Sequence, residues 1–121
     1  MVVEHRKLKG NSGGYYSEKM IPKSHIKTNV EKLIHSLHLS NTCTSTVPFS
    51  VFLRKGNNIA SAQNTGNFDI YILKDINIPP NTSLEILLNF KYDYNFNLMF
   101  AITGSESLTL DMIFKYEGGT Y

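Results

Sequence analysis

Apolar residues recur at every second position through most of the chain. Leu84, Ile86 and Leu88 repeat at every second position, and so do Tyr94, Phe96, Leu98, Phe100 and Ile102. After Thr103-Gly104-Ser105 the alternation resumes through Leu108, Leu110, Met112, Phe114 and Tyr116. Successive side chains on a strand point to opposite faces, so a period of two sustained over this length predicts half-buried strands. The same rule applies upstream. Lys32–Leu39 reads as a strand with Leu33, Leu37 and Leu39 on one face, and Val47, Phe49, Val51 and Leu53 mark another. Phe68, Ile70 and Ile72, then Ile76 and Ile78, carry the pattern to the break at Pro79-Pro80-Asn81-Thr82. Pro48 cannot donate to a ladder, which places it on an edge strand or at a strand beginning.

The segments between these runs are rich in Asn, Gly, Ser and Pro. Ser40–Ser45 and Gly104-Ser105-Glu106 read as turns, Lys91-Tyr92-Asp93 as a link, and Asn57–Asn67 as a hairpin loop in which Ile59 and Ala60 could pair briefly. Short strands at regular spacing with such punctuation predict an antiparallel β-sandwich, jelly-roll-like, of six to eight strands. β-branched and aromatic residues dominate and no capped 3.6-residue period competes. No internal repeat is visible.

Residues 1–29 lack this periodicity. Gly10-Asn11-Ser12-Gly13-Gly14 is a glycine cluster, followed by isolated apolar residues at Tyr15, Tyr16, Met20 and Ile21 ahead of Pro22. The expected division is an extended basic N-terminal arm over 1–29, a β-sandwich domain over 30–116, and a short C-terminal tail over 117–121 ending in Tyr121. An arm of this composition buries too little apolar surface to fold alone.

Composition narrows the classes. The chain has 121 residues, 41% of them hydrophobic, enough for one domain with its own core. A single cysteine, Cys43, excludes an intrachain disulfide and a cysteine-rich zinc site, and its polar surroundings read as a free loop thiol. The N-terminal residues turn charged at once, without the apolar segment of a signal peptide. No run approaches the roughly 20 apolar residues that span a bilayer, so synthesis in a reducing cytoplasm and no membrane partner are expected. The net charge is only +2, but it is unevenly placed. Six basic residues stand against two acidic ones in 1–29, and six against eight in the remainder. A basic arm on a weakly acidic body suits docking on an acidic surface.

Candidate chemistry is sparse. His35 and His38 are three apart, which on a strand sends the imidazoles to opposite faces rather than onto one metal. No serine occupies a nucleophile elbow. Asp69, Asp75, Glu85, Asp93 and Asp111 are dispersed and read as solvated positions. The glycine cluster lacks the Gly-Lys-Ser/Thr ending of a phosphate loop. Asn81-Thr82-Ser83 matches a glycosylation acceptor without the secretory context it needs. No catalytic residue, cofactor or metal is therefore expected, and no enzyme. Lys7, Lys9 and Lys19 interleave with Tyr15 and Tyr16 too sparsely to make a dense basic patch, so nucleic acid is a minor alternative partner.

The run Ile34–Thr42 followed by Val47–Leu53, the segment Tyr71–Leu84 with its proline turn, and the ending Ile102-Thr103-Gly104 then Leu108–Phe114 resemble small β-sandwich structural proteins of tailed-bacteriophage virions. The resemblance covers roughly residues 32–116. It implies a non-enzymatic virion protein, made in the host cytoplasm, that docks on capsid, neck or tail subunits and forms a homo-oligomer. Lys7, Lys9, Tyr15, Tyr16, Met20, Ile21 and Tyr121 are the expected partner-binding anchors in arm and tail. A carbohydrate- or host-surface-binding sandwich is the alternative, suggested by Tyr92 and Tyr94 near a loop.

Overall fold

The computed structural model describes residues 2–10, 15–19, 32–55, 68–92, 96–105 and 107–117. These form eight strands: β1 (Val2–Lys9), β2 (Tyr15–Lys19), β3 (Lys32–Asn41), β4 (Val47–Lys55), β5 (Phe68–Ile78), β6 (Thr82–Tyr92), β7 (Phe96–Thr103) and β8 (Thr109–Glu117). The described residues contain no helix. All pairings are antiparallel. The first four strands pair in reverse order with the last four: β1 with β8, β2 with β7, β3 with β6 and β4 with β5. Contacts of β3 with β8 and β4 with β7 then join these ribbons into two four-stranded sheets, ordered β1-β8-β3-β6 and β2-β7-β4-β5. This nesting is the jelly-roll order expected of a double-sheet sandwich.

The core forms where the two inner faces meet. β8 alternates strictly between half-buried and buried residues, with Leu110, Met112, Phe114 and Tyr116 turned inward. From the other sheet, Phe49, Val51, Leu98, Phe100 and Ile102 meet them, all at 0–1% exposure. Phe100 connects the layers: its ring lies 5.2 Å edge-on from Phe114 and 6.2 Å from Phe49. Offset and edge-to-face rings of this kind add to the hydrophobic gain of burial.

Pro48 lies at the second position of β4, opposite Asn77 of β5 and ahead of the point where β4 begins to pair with β7 at Phe49. Its place is thus a strand beginning; β4 itself is an interior strand.

Two expectations change. The first concerns β3. The pairing shifts between Ile34 and Ser36 on both sides of the strand, which leaves His35 as a bulged residue. A bulge reverses the phase of alternation, so Ile34, Leu37 and Leu39 reach the core while Leu33 does not. The second concerns residues 1–29. Over its described part this segment is two edge strands, one on each sheet, rather than an arm apart from the sandwich. Alternation is present in β1 but concealed, because Glu4 and Arg6 occupy inward positions at the sandwich rim beside the fully buried Leu8. Gly10 continues the strand into a tight contact. Its N–H donates to the Leu108 carbonyl at 3.0 Å, and a Cβ there would strike the backbone oxygen of Ser105. At the other end, β8 extends to Glu117. The Asn57–Asn67 loop and the last four residues lie outside the described residues.

The second sheet is apolar on both faces at its centre. Phe52, Met99 and Ala101 point away from the main core yet are 0–1% exposed, with Tyr71 packed against them. Beside them Arg54 makes a two-pronged ion pair with Asp69, Nε to Oδ1 at 2.7 Å and Nη2 to Oδ2 at 3.0 Å. The Asp69 hydrogen bond holds the guanidinium above its usual pKa against the opposing effect of burial.

Candidate functional site

Pairing geometry sets out the outer face of the β1-β8-β3-β6 sheet row by row, since residues directly opposite share a face. One row runs Lys7, Asp111, Ser40, Ser83, and the next His5, Ile113, His38, Glu85. A third runs Val3, Lys115, Ser36, Leu87. Between β1, β8 and β3 lies an open groove of about 480 Å³, lined by His5, Lys7, His38, Ser40, Asp111 and Ile113 among others. Lys7 Nζ and Asp111 Oδ1 form an ion pair at 2.6 Å. The hydroxyls of Ser40 and Ser83 hydrogen-bond one another across β3 and β6. Val3 and Leu87 are 46% and 69% exposed. The face thus offers hydrogen-bonding groups and balanced charge around an apolar floor.

Among the described residues no three His, Cys, Asp or Glu side chains come together to hold a metal. His38 sits in the groove. His35, at the bulge, has Nε2 3.4 Å from Glu117 Oε1, within ion-pair reach but without hydrogen-bond geometry. Cys43 is half-buried, and its sulfur meets Thr109: it donates to the carbonyl and accepts from the N–H, both at 3.4 Å. The thiol pins the β3–β4 turn to the start of β8.

The expected anchors distribute as follows. Lys7 and Lys9 project from β1, and Lys7 is already paired with Asp111. Tyr15 and Tyr16 are strand residues of β2, opposite Thr103 and Ile102 of β7. Met20, Ile21 and Tyr121 lie outside the described residues. Of the carboxylates read from the sequence as solvated, Asp75 is exposed and accepts from Ser50 Oγ at 3.4 Å, the Asp111 side chain is 42% exposed and pairs with Lys7, and Asp69 is half-buried against Arg54. The groove itself was not legible in the sequence, because it joins residues of β1, β3 and β8 that only pairing register brings together.

No known protein family and no curated protein matches the sequence. Among solved structures, the crystal structure of PirA superposes with a TM-score of 0.51 at 9% identity, over 95% of this chain and 93% of that one. A chain of the T13 IBDV viral particle gives a TM-score of 0.47 at 6% identity, over 94% of this chain. A chain of infectious bursal disease virus Gx strain gives 0.45 at 8% identity, over 93%. This chain spans 30% of the length of either virus chain. The PirA likeness shows a shared fold and nothing of activity. The virus chains superpose too loosely to carry an argument.

Proposed function

We propose that this chain is a non-enzymatic structural protein of a virion, of the tailed-bacteriophage type, that docks on repeated capsid, neck or tail subunits and contributes to particle assembly. The nested jelly-roll order carries this reading, since capsid domains are a major use of that architecture. Two cross-strand ion pairs support it by holding the sheets together, Lys7–Asp111 between β1 and β8 and Arg54–Asp69 between β4 and β5. Lys7, Lys9, Tyr15, Tyr16, Met20, Ile21 and Tyr121 are proposed as contacts to the lattice. The first four lie on the two strands that form one pair of sheet edges.

The test is compositional. Peptides of this chain are expected in purified particles at a copy number set by the lattice symmetry, and they should stay with the particles through density-gradient sedimentation. Their absence from washed particles rejects the reading. The outer groove of the first sheet favours one alternative, binding of a carbohydrate. A glycan array with signal abolished by Asp111→Ala would support that alternative over the structural one.

A further inference from the structure

The four sheet edges are not alike. β5 carries two register shifts against β4 and a left-handed Asp75, with φ of 49°. β6 carries a left-handed Asn89, with φ of 48°, beside the shift opposite the β3 bulge. Bulges and kinks of this kind spoil an edge for further pairing. β2 has five residues among those described. β1 differs from all three. Its eight residues pair with β8 without a shift, it contains no residue of positive φ, and among the described residues no strand lies on its other side. A straight edge of that length is a template for another strand.

The sequence of β1 specifies which strand fits. Two copies of one edge pair antiparallel about a two-fold axis, and side chains share a face only when one residue falls opposite itself. With His5 on the axis, Glu4 falls opposite Arg6 of the second copy and Arg6 opposite its Glu4, while Val3 falls opposite Lys7 and Val2 opposite Leu8. Both charges lie at the sandwich rim, with side chains 27% and 30% exposed, and are already matched within the strand at 3.2 Å. The exposed Val3 would lie against the aliphatic stem of Lys7, which keeps its ammonium on Asp111. Adjacent registers fail. An axis at Glu4 sets Glu4 against Glu4, one at Arg6 sets Arg6 against Arg6, and one at Lys7 sets Lys7 against Lys7.

We propose that a second copy of this chain pairs along the free edge of β1, with His5 opposite His5 and reciprocal Glu4–Arg6 pairs, joining two four-stranded sheets into one. Main-chain hydrogen bonds supply the affinity of such strand addition and the charges set its register. The pairing goes beyond the assembly role and stands apart from it: absence of the chain from particles leaves it untouched.

Charge exchange tests it. Sedimentation equilibrium is expected to show a dimer for the wild-type chain and equally for E4R/R6E, which keeps the match within the strand and across the axis. Mixed with labelled wild type, E4R/R6E should form heterodimers about tenfold or more weaker than either homodimer, because Arg then faces Arg and Glu faces Glu. The single variants E4R and R6E provide a second route: each alone should be monomeric, and an equimolar mixture should recover the dimer. A monomeric wild-type chain overturns the proposal. So do wild-type and E4R/R6E chains that exchange partners freely, or single variants that dimerise as well as wild type.

Discussion

Asn41 shows how a residue that looks like turn punctuation acts as a clamp. Its amide is 1% exposed, and its Nδ2 donors reach the carbonyls of Ser45, Ile78 and Pro79 at 2.9, 2.9 and 3.1 Å. Its Oδ1 accepts the Cys43 N–H at 2.9 Å. One side chain therefore ties the end of β3 to the end of β5 and to its own turn. Truncation leaves buried carbonyls without a donor, so Asn41→Ala should cost about 1–3 kcal/mol in urea unfolding. Tyr116 is a second case. Burial raises its phenol pKa above the ordinary 10.0, Glu4 adds to the rise, and Arg6 opposes it. The unfolded chain then loses this proton before the native one does. Stability should accordingly fall as the pH rises past 10.0. Tyr116→Phe should flatten that alkaline decline, measured by thermal unfolding across a pH series.

At the scale of elements, β3 and β6 share an irregularity that alternation alone does not disclose. His35 is extra relative to β8, and β6 takes up the mismatch at the left-handed Asn89. Asparagine tolerates that backbone state and a β-branched residue does not. Asn89→Val should destabilise the domain by about 1–2 kcal/mol, whereas Asn89→Gly should be tolerated; chemical denaturation distinguishes them. Gly10 is held by packing rather than by φ, since the space for a Cβ is filled by the Gly104–Ser105 backbone. Backbone cannot swing aside as a side chain can. Gly10→Ala should therefore loosen the β1 end from the β7–β8 turn at a cost of about 1–3 kcal/mol, visible as faster amide exchange at Gly10 and Leu108.

For the whole molecule, the nested order makes the N-terminal strands part of the fold. Removing residues 1–29 takes away β1 and β2, exposes the β8 and β7 edges, and uncovers the cavity vacated by Leu8. An independent arm would leave a folded domain after such a deletion. The structure predicts instead loss of cooperative unfolding, checked by circular dichroism and calorimetry. Lys7, Lys9, Tyr15 and Tyr16 are already fixed in a sheet, so contacts they make to a partner carry a reduced ordering cost.

How much of this stood in the chain alone follows from which interactions are local. The period of two through Leu84–Leu88, Phe96–Ile102 and Leu110–Tyr116 is a property of the strand itself, so fold class and most strand positions were legible in the sequence. Pro48 likewise marked its strand end through its missing N–H. The chain alone could not show the bulge at His35, because a bulge exists only against a partner strand. Nor could it show that Glu4 and Arg6 belong to a strand, because their inward placement depends on a rim position beside β8. The buried outer cluster of Phe52, Met99 and Ala101 and the groove between β1, β8 and β3 arise from pairing across long stretches of chain. Periodicity determined that this protein is a β-sandwich; register, which couples residues distant in sequence, decided its strand order, its usable edge and its candidate surface.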